Sequence, residues 1–270
     1  MKRALALLTI LGAWATVAAA DGGGPSPGID FGNGIVAPGG KLRYEALSDG
    51  RTTVLESVLI GTGRVYGVTY FKGRFGIPLV TFAGDTGGLS RDGGNLVLAT
   101  WPGFPTTRFL LVDAHTFQIR GRVRLLGSWA FDAISPDGSL MYLIHYLGSP
   151  NQIYQPYEVR AFNWNTLALY PGAIVDRREP DEKMTGRPWA RTGSTSGWAY
   201  TLYSRAHKTP FVHALDTVHR RAFCVDLPWR HSGKWIASVR LRVHAGTLEL
   251  HRGGRTIARM DMKTLKLSYS

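Results

Sequence analysis

The stretch FDAISPDGSLMYLIHY, residues Phe131 to Tyr146, decides the fold of this chain. It places a polar turn, Ser135-Pro136-Asp137-Gly138, between two runs rich in apolar, aromatic and β-branched residues. Proline at the second position and glycine at the fourth favour a type I turn. Two apolar runs joined by a short turn of this kind are typical of a β-hairpin. We therefore predict two antiparallel strands here.

The same pattern recurs along the chain. Ser-x-x-Gly turns stand at 90–93 and 194–197, and a degenerate copy stands at 244–246. Each copy is followed by strands that flank an Asp or Asn turn, where the side chain can cap its own backbone. These Asx turns lie at Asp113, Asn163, Asp216 and Asp261, which are 50, 53 and 45 residues apart. A further strand is predicted to close each unit.

A unit of about 40–50 residues with four short strands is typical of a propeller blade. Since one blade cannot bury both of its faces alone, blades stack and share a continuous core. We predict an all-β fold, a β-propeller of about five four-stranded blades, with six blades as an alternative. A generic β-sandwich with coincidental turns is the competing interpretation.

At this level the chain resembles a known family of repeats. The stretch ISPDGSLMYLI is similar to the hairpin of WD40-like and YVTN-type β-propeller repeats, and the turns DAHT, NWNT and LDT resemble their later hairpin. The resemblance covers roughly residues 87 to 270, and it lacks the Trp-Asp and Gly-His dipeptides of true WD40 blades. It implies a propeller fold and no particular activity, because propellers host both binding modules and enzymes.

The N-terminal region divides into three parts. Residues 1–20 have a charged start, an apolar run and a small-residue end, which predicts a cleaved Sec-type signal peptide. Residues 21–40 are rich in glycine and proline and predict a flexible leader. Residues 41–270 form the predicted propeller domain, and LRYEAL at 42–47 is a candidate to complete the last blade. No transmembrane segment follows, so we expect a secreted or cell-envelope protein.

Composition limits the classes of partner. The net charge of +13 favours acidic partners, such as an anionic cell-envelope polymer. The basic residues are scattered along the sequence, and no basic tract, aromatic-interleaved RNA motif or zinc pattern predicts specific nucleic acid binding. Cys224 is the only cysteine, so no intramolecular disulfide forms, and its apolar strand predicts a buried inert thiol. No motif calls for a metal or a cofactor.

The region 148–191 departs from the repeat. Two insertions lengthen the interval between successive Ser-x-x-Gly turns from 45 to 59 residues. Loops that depart from a repeat are where function tends to lie, although a solvated loop of paired charges is the plainer interpretation. Aromatic and cationic residues from this region and the adjoining strands form the predicted ligand-binding set: His145, Tyr146, Arg187, Trp189, Arg191 and Trp198. The alternative places several of these aromatic residues in the core.

Asp132 interrupts an apolar strand, so its carboxylate must be hydrogen-bonded or paired. We expect it to tie a neighbouring blade. The alternative is a channel-facing acid that works with Asp85 or Asp176, since glycoside hydrolysis needs two carboxylates at a defined separation. No nucleophile elbow, dinucleotide loop, His-Glu-x-x-His helix or calcium loop is present.

These observations favour an exported, non-enzymatic β-propeller that binds a ligand or a protein partner through the 148–191 region. An anionic polymer is one such ligand. The alternative is an extracellular polysaccharide hydrolase or lyase with acids in the propeller channel. A third interpretation is a structural component held to an anionic envelope by charge alone.

Overall fold

The computed structural model describes residues 26–103, 105–148, 152, 154–230 and 233–269. The predicted signal peptide lies outside the described residues. Those residues form antiparallel sheets and one short helix, α1 (Gly233–Ala237). Four of the sheets have four strands, one has three and one has two. The predicted all-β class is confirmed.

Five sheets follow one another along the chain. Sheet 1 contains β2 (Ile35–Val36), β3 (Leu42–Ser48), β4 (Thr52–Leu59) and β5 (Val65–Lys72). Sheet 2 contains β7 (Asn95–Ala99), β8 (Thr106–Asp113) and β9 (Ile119–Leu126). Sheet 3 contains β10 (Ser128–Ile134), β11 (Leu140–Tyr146), β12 (Tyr157–Asn163) and β13 (Ala168–Leu169).

Sheet 4 contains β14 (Arg187–Gly193), β15 (Trp198–Ser204), β16 (Phe211–Asp216) and β17 (Arg221–Asp226). Sheet 5 contains β18 (Arg240–His244), β19 (Thr247–Arg252), β20 (Arg255–Asp261) and β21 (Leu267–Tyr269). The remaining two strands, β1 (Ile29–Asp30) and β6 (Ile77–Pro78), pair with each other.

The two predicted turn types recur in the structure. In the hairpin of β10 and β11, the Gly138 N–H donates to the Ser135 carbonyl at 2.9 Å, and Gly138 has a φ of +76° that glycine adopts without steric cost. At each Asx turn the side-chain oxygen accepts the backbone N–H groups two and three residues on, as Asn163 does from Asn165 and Thr166. The predicted repeat unit is therefore confirmed locally.

Each sheet packs on the next one along the chain. Tyr44 and Leu55 of sheet 1 share a core with Leu110 of sheet 2, and other apolar clusters join sheets 2 and 3, 3 and 4, and 4 and 5. Strand alternation supplies the two apolar faces that this stacking needs. In β8, for example, Phe109 faces sheet 3 while Leu110 faces sheet 1.

Two expectations for the N-terminal part differ from the structure. LRYEAL does not complete the last blade: it forms β3, which pairs with β2 and β4, while sheet 5 has four strands of its own. The turn at residues 48–51 connects β3 directly to β4, so β3 pairs with the strand that follows it in the sequence. The predicted flexible leader also contains β1 and β2, and Asp30 in it is buried.

Candidate functional site

The first strands of sheets 1, 3 and 4 meet at a cleft of about 690 Å³, which we call the inner cleft. The segment 80–91, which leads into sheet 2, forms another wall. The polar and aromatic residues that line the inner cleft include Asp85, Arg91, Asp132, Arg191, Ser194 and Trp198. Volumes of this size are typical of small-ligand sites.

Asp132 and Arg191 form a buried ion pair in this cleft. Asp132 is 3% exposed and occupies a β-bulge of β10, where the register shifts between Phe131 and Ala133. A bulge re-aims a side chain and frees backbone groups from the ladder. The Arg191 guanidinium of sheet 4 donates to both the carboxylate and the main-chain carbonyl of Asp132. The predicted role of Asp132 as a tie between neighbouring sheets is confirmed.

Asp85 reaches the same arginine from another segment. Its Oδ2 accepts a hydrogen bond from Thr81 Oγ1 at 2.7 Å and one from the main-chain N–H of Arg191 at 3.2 Å. Both acids of the inner cleft therefore converge on Arg191. Of the two pairings considered for Asp132, the structure brings Asp85 into the same cleft, whereas Asp176 is absent from the lining of that cleft.

The turn 81–85 lies along the free edge of β14. The Phe82 N–H donates to the Pro188 carbonyl at 2.9 Å. The Arg187 guanidinium lies 4.1 Å from the centre of the Phe82 ring, and the Trp189 ring lies 5.7 Å from it. Cation–π and aromatic contacts of this kind stabilise a turn on a neighbouring element. Arg187 and Trp189 thus bind a segment of their own chain, which no pattern in the sequence indicated.

Trp198 borders the inner cleft at the start of β15. Its ring stacks on Tyr200 and Phe223 at centroid distances of 6.0 and 6.1 Å, and its side chain is half-buried. Tyr200 is fully buried, as expected for an aromatic residue in a strand. The stack holds the indole in place, while its remaining surface borders the cleft.

His145 and Tyr146 lie elsewhere on sheet 3. The His145 ring stacks on Trp129 at 3.9 Å, and its Nδ1 lies 3.4 Å from Glu158 Oε1. Tyr146 is 4% exposed in an apolar cluster between sheets 3 and 4, where burial raises the pKa of its hydroxyl. The predicted set of six residues is therefore spread over three places, and only Arg191 and Trp198 line the inner cleft.

His213 is buried on β16, and sequence reasoning did not assign it a role. It is 1% exposed, and burial lowers its pKa to about 4, while the nearby charges of Asp132 and Arg191 act in opposite directions. Within the described part of the chain, its Nε2, Asp132 Oδ2 and Arg191 Nε are buried without a hydrogen-bond partner. Unpaired buried polar groups are costly, which makes this region sensitive to perturbation.

Some charges of the second insertion are paired, either within the insertion or with the loop between β15 and β16. Asp176 binds the Arg178 guanidinium at 2.6 Å and accepts the Cys224 N–H at 2.8 Å. Glu182 lies 3.1 Å from Lys208 Nζ. Cys224 is half-buried rather than buried as predicted, and desolvation raises the pKa of its thiol to about 12, in line with an inert thiol. This pairing agrees with the plainer interpretation of a solvated, charge-paired loop.

Two features are absent from the described residues. No group of three or more His, Cys, Asp or Glu side chains is placed to hold a metal ion there. In that same part of the chain, no helix is long and apolar enough to cross a membrane.

No protein-family model and no curated protein matches the chain. Among solved structures, a functionally unknown protein from Desulfotomaculum acetoxidans DSM 771 is similar, with 12% identity over 90% of this chain and 68% of that chain and a TM-score of 0.55. TolB from Acinetobacter baumannii has 12% identity over 86% of this chain and 52% of its own, with a TM-score of 0.45. Prolyl oligopeptidase B from Galerina marginata has 13% identity over 89% and 34%, with a TM-score of 0.49.

The chain therefore spans about half of the TolB chain and about a third of the oligopeptidase chain. The likeness to the Desulfotomaculum protein, together with the stacked antiparallel sheets, supports a propeller-like fold. At this identity it carries no activity over to this chain.

Proposed function

We propose that this chain is an exported, non-enzymatic binding module with a propeller-like fold, in which each of the five larger sheets is one blade. Its ligand or protein partner engages the inner cleft at β14, the last part of the 148–191 region. The signal-peptide pattern of residues 1–20 supports export or a cell-envelope location. The assignment to WD40-like or YVTN-type repeats rests on the sequence motifs alone.

One observation carries this proposal: both acids of the inner cleft are already engaged by Arg191. Asp132 is held by its guanidinium and Asp85 by its main-chain N–H. A general acid or nucleophile must instead be within reach of a substrate atom. The cleft still offers groups for recognition, because Trp198 presents a fixed aromatic surface and Arg91 borders the opening with a cation.

The test is a variant that fills the cleft without disturbing the ion pair. Thr192 lines the cleft on β14, and Thr192→Trp should abolish ligand-induced stabilisation. Thr166→Trp, in the exposed Asx turn of sheet 3, is the matched control. The probes are neutral and acidic oligosaccharides at two salt concentrations, read by thermal shift. A ligand at 100 times its Kd stabilises a protein by about 2.7 kcal/mol.

A probe that stabilises the wild type and Thr166→Trp but not Thr192→Trp would support the inner cleft as the binding site. Shifts that are equal in all three proteins and vanish at higher salt would instead support anchoring by charge alone. Arg187 and Arg191 are unsuitable targets for this test, because both hold other parts of the chain.

The hydrolase or lyase alternative is favoured by one specific observation, which is the presence of Asp85 and Asp132 in the same cleft. Release of reducing ends from extracellular polysaccharides is the direct assay. We expect none from the wild type. Turnover by the wild type that Asp85→Asn abolishes would replace the binding function with a catalytic one.

A further inference from the structure

A second cleft lies between sheets 1 and 2, away from the 148–191 region. We call this space of about 410 Å³ the outer cleft. Four cations line it: Lys72 at the end of β5, Arg108 on β8, and Arg122 and Arg124 on β9. The lining contains no acidic residue. Although the basic residues are scattered along the sequence, the fold gathers these four.

Strand geometry explains how the three arginines of this cleft meet. Arg122 and Arg124 are two residues apart in β9, so their side chains project from the same face of the sheet. The register of β8 and β9 sets Arg108 directly opposite Arg124, and Leu110 opposite Arg122. Sheet 2 has three strands, so β9 is its last strand, and the space beside it is open to these side chains.

The charges in this cleft are not balanced from within the protein. Among the described residues, none of the four cations forms an ion pair. Like charges directly opposite one another in a sheet destabilise it, which applies to Arg108 and Arg124. Arg120 on the same strand is different, because it binds Asp113 and donates to Asn95 Oδ1 at 2.7 Å.

The floor of the outer cleft is apolar. Phe71, Phe75 and Leu110 contribute to it and are 6%, 3% and 4% exposed. The Arg108 guanidinium lies 5.4 Å from the centre of the Phe75 ring, which positions this cation above the floor. The cleft therefore combines an apolar base with cationic walls.

We propose that the outer cleft binds a phosphate ester, with the phosphate among the arginines and an apolar part of the ester on the phenylalanine floor. Guanidinium groups form paired, charge-assisted hydrogen bonds with phosphate oxygens. A bound anion would also relieve the repulsion between Arg108 and Arg124. The volume falls within the usual range for ligand pockets. The same chemistry is offered by a lipid headgroup and by a soluble phosphate ester.

The experiment is titration calorimetry on residues 21–270, the chain without the predicted signal peptide, with four probes at constant ionic strength. Dihexanoyl phosphatidic acid carries both phosphate and apolar parts, and hexyl phosphate is a soluble ester without a lipid backbone. Inorganic phosphate lacks the apolar part, and dihexanoyl phosphatidylcholine carries no net charge. We expect the protein to bind dihexanoyl phosphatidic acid and hexyl phosphate. Tighter binding of phosphatidic acid would identify a lipid as the natural ligand, and equal affinity for the two would identify a soluble phosphate ester.

Variants then test the residues. Arg108→Gln and Arg124→Gln should each weaken binding of the phosphate esters by about tenfold or more. Arg255→Gln, an exposed arginine on sheet 5, is the matched control and should change the affinity less than twofold. In the ligand-free protein, Arg124→Gln should leave the melting temperature unchanged or raise it, because it removes a like-charge pair.

Several results would overturn the proposal. Equal weakening by Arg255→Gln would reduce the effect to net charge, and equal affinity for phosphatidylcholine would remove the role of the cations. Equal affinity for inorganic phosphate would remove the role of the apolar floor. A large loss of stability in ligand-free Arg108→Gln and Arg124→Gln would make these arginines structural. Loss of phosphate-ester binding in Thr192→Trp would place the ligand in the inner cleft instead of the outer one.

Discussion

Replacing Arg191 with methionine should destabilise the protein far more than any exposed arginine substitution does. Methionine keeps much of the side-chain volume but removes the guanidinium that binds the carboxylate and the carbonyl of Asp132. The Asp132 side chain is 2% exposed and that of Arg191 is 12% exposed. The substitution therefore leaves a buried carboxylate whose ion-pair partner has been removed.

The size of the effect follows from this burial. Removing one partner of a buried ion pair typically costs about 3–5 kcal/mol, because the remaining charge stays desolvated. A folded domain is stable by only about 5–15 kcal/mol, so this is a large share of the total. Each kcal/mol shifts the melting temperature of a domain of this size by about 2–4 °C. We expect a decrease of roughly 6–20 °C.

Urea denaturation and thermal unfolding of four proteins give the test: wild type, Arg191→Met, Asp132→Asn and the double variant. Asp132→Asn replaces the unpaired carboxylate with a neutral amide. The loss of unfolding free energy in the double variant should therefore be smaller than the sum of the losses in the two single variants, by about 1–3 kcal/mol. Arg255→Met serves as the control and should stay within about 0.5 kcal/mol of the wild type. A cost below about 1 kcal/mol for Arg191→Met, or strict additivity in the double variant, would refute the importance of this pair.

Three further predictions concern other buried or turn groups. His213 has a pKa of about 4 in the folded chain, below its ordinary value of 6.5. Between these two pH values the unfolded chain binds more protons than the folded chain. The free energy of unfolding therefore falls as the pH drops from 6.5 towards 4. Urea denaturation should show a loss of about 2 kcal/mol from pH 7.5 to pH 5, and His213→Gln should lose most of this dependence. Cys224 should react with a disulfide reagent at pH 8 about a hundredfold or more slowly in the folded chain than in urea, because desolvation raises its pKa to about 12; equal rates would contradict the raised pKa. Asn163→Ala should lower the free energy of unfolding by about 1 kcal/mol by removing the acceptor of two backbone N–H groups, whereas Asn163→Asp retains that acceptor and should stay near the wild type.

The candidate site was only partly predictable from the sequence. Arg191 and Trp198 line the inner cleft as aromatic and cationic residues near an irregular region can be expected to do. Arg187 and Trp189 are likewise a cation and an aromatic residue, and they lie on β14 with Arg191. They nevertheless contact Phe82 instead of lining the cleft. The sequence contains no signal for this contact, because Phe82 is more than 100 residues away and belongs to a short turn.

Local features were determined by the sequence itself. The strands, the Ser-x-x-Gly turns and the Asx turns depend on residues only a few positions apart, so their patterns predict them directly. The alternation of Arg122 and Arg124 in β9 likewise follows from strand geometry. Tertiary structure alone decided which side chains share a cleft: Asp85 and Asp132 at Arg191, and Lys72 beside β9. The physical reason is that these partners come from different sheets or from the turn 81–85, and their positions are set by how the apolar faces of the sheets pack together.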